Sequence, residues 1–503
     1  MDDRSKVEQP RLAQGAIGVV GQVFQSISHM APAAGVIFSA QYMATKGGAS
    51  LTLAWIIATI ACLLTAASLK EVVRKVHGAG GYFVIISASL GHFVGFTTSW
   101  LWFLFEPMVP AGLGMLLGYA VSDFLFAEIG IFVPWWPVAI LMIVALTYVS
   151  YLGIRESSRA TVIFGSLEIA IMLLLAVVLI IKAGPRQPLS SFTPDSSPLR
   201  WGGVFFATIY GVLGFLGFEA GIPLAEEDEN ARRSLSIAIM TSTLGMGLFY
   251  CVLGYGTVAG WGGFENPSRF AAGFSGAVNP YFALGRRAFG AAGPWLVLFV
   301  IANAAIACSI AAQNAATRVY YSLARAGIFP GWLNHIHPRT RTPDRAIFTQ
   351  GCLSILFTLL LGFTLGPFNG YGLLGLIYTI ALMIIYITTN VACFALYFFQ
   401  YRREFRVLAH LVVPALGTLV MLAPLAAAFI PELLFGKENK NVYPYTLGPR
   451  VAVVWFVIGL LFYAYLRKKR PEGLRAMTNE VGTAEAAGIR TGEVATVSAT
   501  APL

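Results

Sequence analysis

The chain has 503 residues, of which 57% are hydrophobic and only 12% charged, with 34 Lys and Arg against 24 Asp and Glu for a formal net charge of +10. A mean hydropathy of +0.71 excludes an ordinary soluble globular domain, and the positive balance does not call for nucleic acid because the cations are distributed by loop. Residues 1–17 are polar and read as a cytoplasmic N-terminal segment. They lack a signal-peptide pattern, and the first apolar run is too long for one. Twelve apolar segments follow, at 18–44, 51–69, 92–120, 134–154, 159–182, 201–227, 234–258, 294–323, 345–365, 371–400, 407–431 and 448–467. Each is near the roughly 20 residues that cross a hydrocarbon core of about 30 Å. The remainder, 468–503, is rich in Ala, Thr, Gly and Glu beyond its first basic residues and reads as a disordered cytoplasmic tail.

The basic residues orient these segments. Lys70, Arg74 and Lys75, Arg155 and Arg159, Arg232 and Arg233, Arg339, Arg341 and Arg345, Arg402, Arg403 and Arg406, and Arg467 to Arg470 all fall in returns on the side of the N-terminus. Positive charge stays cytoplasmic, so both termini are expected inside a multi-pass protein of the inner (plasma) membrane, which requires an even number of spans. The five cysteines, Cys62, Cys251, Cys308, Cys352 and Cys393, lie in or near apolar segments without metal spacing and read as small buried hydrophobes.

Two segments are interrupted at their middles. The first breaks around Ser26-Ile27-Ser28-His29-Met30-Ala31-Pro32; the second breaks around Tyr210-Gly211-Val212-Leu213-Gly214-Phe215-Leu216-Gly217, with Glu219 just beyond. Unpaired backbone in hydrocarbon costs several kcal/mol per group, so a broken helix survives only where it lines a cavity. One such break in each half of the chain points to the central site of a transporter. Half-helix N-termini there suit a carboxylate and opposing carbonyls suit an ammonium, which are the two charges of an α-amino acid. Ser26 and Ser28 offer hydroxyls, and the N–H groups near His29 and Met30 are candidates for the carboxylate.

Several local motifs converge. His77-Gly78-Ala79-Gly80-Gly81-Tyr82 follows the second segment; Gly217-Phe218-Glu219-Ala220 leads into Pro223-Leu224-Ala225-Glu226-Glu227 and Asn230-Ala231-Arg232-Arg233; Ala324-Arg325-Ala326-Gly327-Ile328-Phe329-Pro330 precedes His337-Pro338 and Thr342-Pro343. In this order they resemble the amino acid–polyamine–organocation (APC) permeases over nearly all of residues 15–467. The resemblance implies an all-α integral membrane protein of twelve transmembrane helices. Its core would be an inverted 5+5 repeat (18–182 and 201–400) with helices 1 and 6 unwound at mid-membrane, followed by two additional helices (401–467). It also implies ion-coupled secondary transport of an amino acid or amine.

On that pattern Phe215 resembles an aromatic that closes over substrate, and Leu213 lies where some relatives place a Trp. Glu219 resembles an acid used for proton sensing or structure, and Glu106 an acid found in some cationic amino acid carriers. Two departures stand out. Gln25-Ser26-Ile27-Ser28 replaces the usual Gly-rich first break, which weakens backbone-only recognition of a carboxylate. Glu168 replaces a Lys that substitutes for bound sodium in related permeases, and a carboxylate there could bind a proton, attract a cation or pair with His29.

The candidate substrate site therefore comprises Ser26, Ile27, Ser28, His29, Met30, Ala31, Phe105, Glu106, Tyr210, Gly211, Leu213, Gly214 and Phe215. Glu168 and Glu219 are coupling candidates, and Asn303 and Ser309, with Gln313 and Asn314, form a weaker polar wall in the eighth segment. Carboxylates at membrane depth are costly and need a partner or water. Three acids with no buried basic partner favour a coupling proton over sodium, and they bring cationic amines such as putrescine into the substrate class. No cofactor or metal is expected. A membrane-embedded transferase would need a catalytic constellation that His335, His337 and Asp344 do not supply, and a channel would need a repeated pore element that is not visible.

Overall fold

The computed structural model describes residues 18–76, 81–228, 230–276 and 279–472. The expected N-terminal segment, most of the expected tail, the motif residues His77 to Gly80, and Glu229 lie outside the described residues. What is described is helical, and ten stretches are long and apolar enough to cross a membrane.

The first apolar segment forms two helices, α1 (Val19–His29) and α2 (Pro32–Gly47), joined by Met30 and Ala31. Pro32 causes the break: it cannot continue α1, it disfavours the right-handed helical conformation at the residue before it, and it suits the first position of a new helix. Ala31 accordingly takes a left-handed conformation, φ 47° and ψ 67°. That conformation costs a non-glycine residue about 1–2 kcal/mol. The break is shorter than the sequence reading placed it. Ser26, Ile27 and Ser28 lie within α1, and the N–H groups of Met30 and Ala31 already donate to Ser26 O and Ser28 O, each at 3.1 Å.

The polarity of α1 is inverted. Its buried residues before the break are Gln22, Gln25, Ser26, Ser28 and His29, all polar, while Val20 on the opposite face is exposed. Every residue of α2 up to Ala44 is buried.

Next come α3 (Leu51–Val73), α4 (Tyr82–Leu90), α5 (His92–Phe105) and α6 (Val109–Ile129). The third predicted span therefore gains α4, which turns into α5 at Gly91 with φ +82°. It is also kinked midway by a 3-10 turn over Glu106–Met108, where Pro107 removes an N–H from the helical ladder. Then follow α7 (Trp135–Leu152), α8 (Ile154–Ala183) and α9 (Arg200–Leu213).

The second broken segment departs from helix only at Gly214, so Tyr210 and Gly211 belong to the last turn of α9. Beyond it the chain runs through tight turns: Phe215 N–H to Val212 O, Leu216 N–H to Leu213 O, Ala220 N–H to Gly217 O and Ile222 N–H to Glu219 O, each 2.9–3.0 Å. A 3-10 helix over Ile222–Glu227 closes the segment.

The remaining helices are α10 (Ala231–Trp261), α11 (Pro267–Gly276), α12 (Pro280–Phe289), α13 (Gly293–Arg325), α14 (Asp344–Leu365), α15 (Pro367–Ala395), α16 (Val413–Phe429), α17 (Pro431–Phe435) and α18 (Leu447–Lys469). The broken segments lie side by side at the centre, α2 against α9, with α3, α8, α10, α13 and α15 packed around them. The outer surfaces of α7, α14, α16 and α18 expose large apolar side chains such as Leu141, Phe363, Leu419 and Leu461. That is the inside-out surface expected of helices facing lipid.

Candidate functional site

The two breaks meet at one phenol. Tyr250 of α10 places its hydroxyl 3.0 Å from Met30 O and 2.6 Å from Gly214 O, backbone oxygens of the residues that follow the end of each helix. Its ring stacks on Trp55 at 4.6 Å and meets the edge of Phe215 at 5.2 Å. A Cβ added at Gly35 would lie 3.0 Å from Met30 O, 3.3 Å from the Tyr250 hydroxyl and 3.8 Å from Gly214 Cα, so glycine there lets the breaks approach.

A cavity of about 40 Å³ lies between the breaks, large enough for one or two waters. Met30, Ala31 and Gly35 border it from the first segment, Leu213 and Leu216 from the second, Val109 and Leu113 from α6, Cys308 from α13, and Tyr371 and Tyr378 from α15. His29 borders it too, and also borders a second cavity of about 10 Å³ whose walls include Glu106, Glu219, Tyr82, Ser99 and Trp102. His29 therefore separates a mainly apolar chamber from an acidic one.

The acidic chamber holds groups with few partners. Glu106 Oε2 is 3.5 Å from His29 Nε2, and Glu106 Oε1 and both ring nitrogens of His29 are buried without a hydrogen bond. Glu219 accepts a hydrogen bond from the Tyr386 hydroxyl at 3.1 Å. Gly217, φ +111°, passes directly over the imidazole, and an added Cβ would collide with His29 Cβ, Cγ and Cδ2. Glycine at 217 thus answers two demands at once, a backbone at positive φ and the His29 side chain of α1 against it.

Glu168 does not pair with His29, as its sequence position allowed. Its Oε1 accepts from the Ala33 N–H at 2.6 Å, and its Oε2 accepts from Asn303 Nδ2, also at 2.6 Å. The acid of α8 therefore complements the N-terminus of α2 from the side, and Asn303 holds it there.

The other expected site residues fall in different surroundings. Ser26 Oγ donates to Phe218 O at 2.9 Å and so ties α1 to the second break, while Ser28 Oγ is buried without a partner and lies near Gly165. Ile27 is partly buried against the core. Phe105 is fully buried beside Trp102, Tyr210 stacks on Tyr42 at 5.1 Å, and Phe215 packs on Tyr250. Gly211 and Gly214 serve close helix contact, with added Cβ atoms 3.0 Å from Ala58 Cβ and 2.9 Å from the Trp55 ring. Ser309 and Gln313 are fully buried with no partner for Ser309 Oγ or for either amide atom of Gln313.

Sequence reasoning missed two groups. Tyr82, Tyr371 and Tyr378 line the two cavities, and Tyr250 and Tyr386 bond the breaks and Glu219, yet a tyrosine in an apolar run carries no signal of direction. Arg318 is 1% exposed and donates to Asn314 Oδ1 and Thr317 Oγ1, each at 3.3 Å. It is a buried base that the sequence reading did not weigh, and an arginine within the eighth apolar segment was the available signal.

The sequence profile described as amino acid permease matches residues 17–464. The chain is 28% identical over 333 residues to the branched-chain amino acid permease BcaP of Bacillus subtilis, covering 62% of this chain and 68% of that protein. It is 25% identical over 464 residues to the glutamate/serine transporter AimA of the same organism, covering 86% and 78%. Against the low-affinity putrescine importer PlaP of Escherichia coli K12 it is 25% identical over 315 residues, covering 60% and 66%. With a match that spans nearly its whole length and the helical membrane architecture described above, this chain belongs to the amino acid permease family, whose members are transporters and not enzymes.

Proposed function

We propose that the chain is a secondary active transporter that moves a small amino acid or organic amine across the plasma membrane by alternating access, coupled to protons. In this reading the two broken segments count as spans beside the ten continuous ones. They make twelve, arranged as two inverted five-helix repeats (18–182 and 201–400) and two further helices, with both termini cytoplasmic. The observation that carries the proposal is the meeting of the two breaks. A scaffold that only spanned the bilayer would have no use for two discontinuous helices side by side, a cavity between them and a polar buried face on α1.

The substrate chamber is bounded by Met30, Ala31, Leu213 and the tyrosines of α15, and the acidic chamber carries coupling. Glu219 and Glu106 sit close enough to the second break for protonation to bias its position, while Glu168 reports on the first break through Ala33. Sodium coupling is the second reading, favoured by the unpartnered Ser309 Oγ. The relatives' names, which include branched-chain amino acids, glutamate and serine, and putrescine, support the amino acid or amine class without choosing among its members.

Reconstitution in liposomes tests the reading. A radiolabelled substrate exchanges by counterflow, and net uptake follows an imposed proton gradient in the absence of sodium. Glu168→Gln and Glu219→Gln each reduce uptake driven by the gradient more than counterflow. Uptake that ignores the gradient, or survives both substitutions unchanged, removes the proton assignment.

A further inference from the structure

An α-amino acid held between broken helices needs donors for its carboxylate, and few remain at the start of α2. Upstream, the N–H groups of Met30 and Ala31 are spent on Ser26 O and Ser28 O. Pro32 has no N–H, and Gly35 donates to Ala31 O at 2.6 Å. Ala33 donates to Glu168 at 2.6 Å, so Ala34 is left as the single N–H of this turn outside these bonds.

The positive end of the half-helix is thus complemented by an acid of the protein itself. Glu168 is 1% exposed and anchored on its second oxygen by Asn303 at 2.6 Å. A substrate carboxylate would have to displace it or sit beside it, and two carboxylates at one helix end repel.

The complementary group is missing on the other side. Glu106 is 2% exposed with Oε1 unpartnered, and it borders the chamber that His29 shares with the apolar cavity. A buried carboxylate oxygen without a donor is costly, and an ammonium would satisfy it. Beyond His29, Val109, Leu113, Leu213 and Leu216 line the apolar cavity of about 40 Å³, which a short carbon chain would have to widen.

Building on the transporter reading above, we propose that the solute is an organic amine without a carboxylate, the decarboxylated counterpart of an amino acid. Its ammonium sits on Glu106 and its carbon chain between the breaks, while Glu168 occupies the place of the absent carboxylate.

Matched pairs test this on the purified full-length protein: isopentylamine against leucine, and putrescine against ornithine, by thermal unfolding in detergent and by counterflow in liposomes. In at least one pair the amine reaches its half-maximal thermal shift at about tenfold lower concentration than its amino acid. Glu106→Gln abolishes the amine's shift, and Glu168→Gln, which removes the competing charge, narrows the gap within the pair. An amino acid that acts at or below the concentration of its amine in both pairs overturns the proposal, as does the absence of a shift with any of the four. The wild-type comparison stands whether or not either variant folds. Amino acids exchanged in preference to amines would end the amine assignment and keep the transporter; an amine that stabilises the protein and never exchanges would end the transporter reading and keep the amine site.

Discussion

Replacing Tyr250 with phenylalanine removes the hydroxyl that bridges the carbonyls of the two breaks. The ring stays, and with it the stack on Trp55 at 4.6 Å and the edge contact with Phe215 at 5.2 Å. Only the hydroxyl is lost, which stands 2.6 Å from Gly214 O and 3.0 Å from Met30 O. A phenol has one proton, so it donates fully to one carbonyl or divides itself between them; its removal strands both. Stranding a buried acceptor costs about 1–3 kcal/mol. The upper part of that range applies here, because no bulk water stands ready at this depth to replace the donor. We expect Tyr250→Phe to destabilise the protein by about 2–3 kcal/mol in an equilibrium denaturant titration in mild detergent, and to slow counterflow more than about tenfold. Tyr281→Phe is the control. Its hydroxyl is equally buried and lies 2.7 Å from Thr257 Oγ1, but far from either break, and the threonine hydroxyl can turn to another acceptor. It costs less than about 1.5 kcal/mol and leaves counterflow intact. If Tyr250→Phe matches wild type in both stability and exchange, the phenol does not tie the breaks and the central geometry argued above is wrong.

Other perturbations read the same centre. Gly217→Ala combines a backbone at φ +111° with overlap on His29, so it costs about 2–5 kcal/mol in the same titration. Gly211→Ala, whose Cβ would meet Ala58 at 3.0 Å in an ordinary helix, costs clearly less; equal costs would mean that 217 is not held against the imidazole. Ser26→Ala removes the bond to Phe218 O at 2.9 Å and costs about 0.5–1.5 kcal/mol, measured as a shift in denaturation midpoint. Cys308 borders the apolar cavity with 3% of its surface exposed, and its thiol donates to His29 O at 2.9 Å, whereas Cys352 is exposed on α14. A small maleimide labels Cys352 first, and a bound substrate slows labelling of Cys308 alone, as peptide mass spectrometry would record.

The architecture was open to sequence reading because its causes are local. Runs of apolar residues, loop charges and Pro32 each act within a few positions, so the segments and both interruptions could be seen without tertiary information. The exact extent of each break could not. Whether Ser26 to Ser28 stay helical depends on whether their N–H groups find carbonyls one turn back, and the first break narrowed to Met30 and Ala31 because they do. Residue choice at the site divides in the same way. Glu106, Glu168, Glu219 and His29 were legible because a polar group at membrane depth is costly wherever it points. The glycines of the second break were legible as special but not as to purpose: 211 and 214 face α3, while 217 faces His29. The pairing of Glu168 with Ala33 and Asn303 in place of His29 is a matter of how α8 and α13 cross, which no single segment encodes.

Under the proposed alternating access, the way the two half-helices are held favours α1 as the one that moves. Its buried face is fastened by Gln22 to Asp228 at 3.3 Å, Gln25 to Ala311 O at 3.2 Å, Ser26 to Phe218 O at 2.9 Å, and the Cys308 thiol to His29 O at 2.9 Å. The three bonds to backbone carbonyls contribute about 1 kcal/mol each and the one to the Asp228 carboxylate about 1.5–3 kcal/mol, and water can replace most of that when it enters. α2 is held differently: Tyr42 lies among Tyr210, Phe368, Tyr371 and Tyr445, and Phe38 meets Tyr371. Exposing aromatics of that size costs several kcal/mol that water does not return. An opening on the α1 side therefore exchanges protein bonds for water bonds at small net cost, while an opening on the α2 side must break an apolar cluster. Val20 is already exposed on the outer face of α1, so a swing of the helix costs no burial there. On the proposed alternating-access reading, the inverted polarity of this single helix suits it to be the low-barrier gate, with Met30 and Ala31 as its pivot.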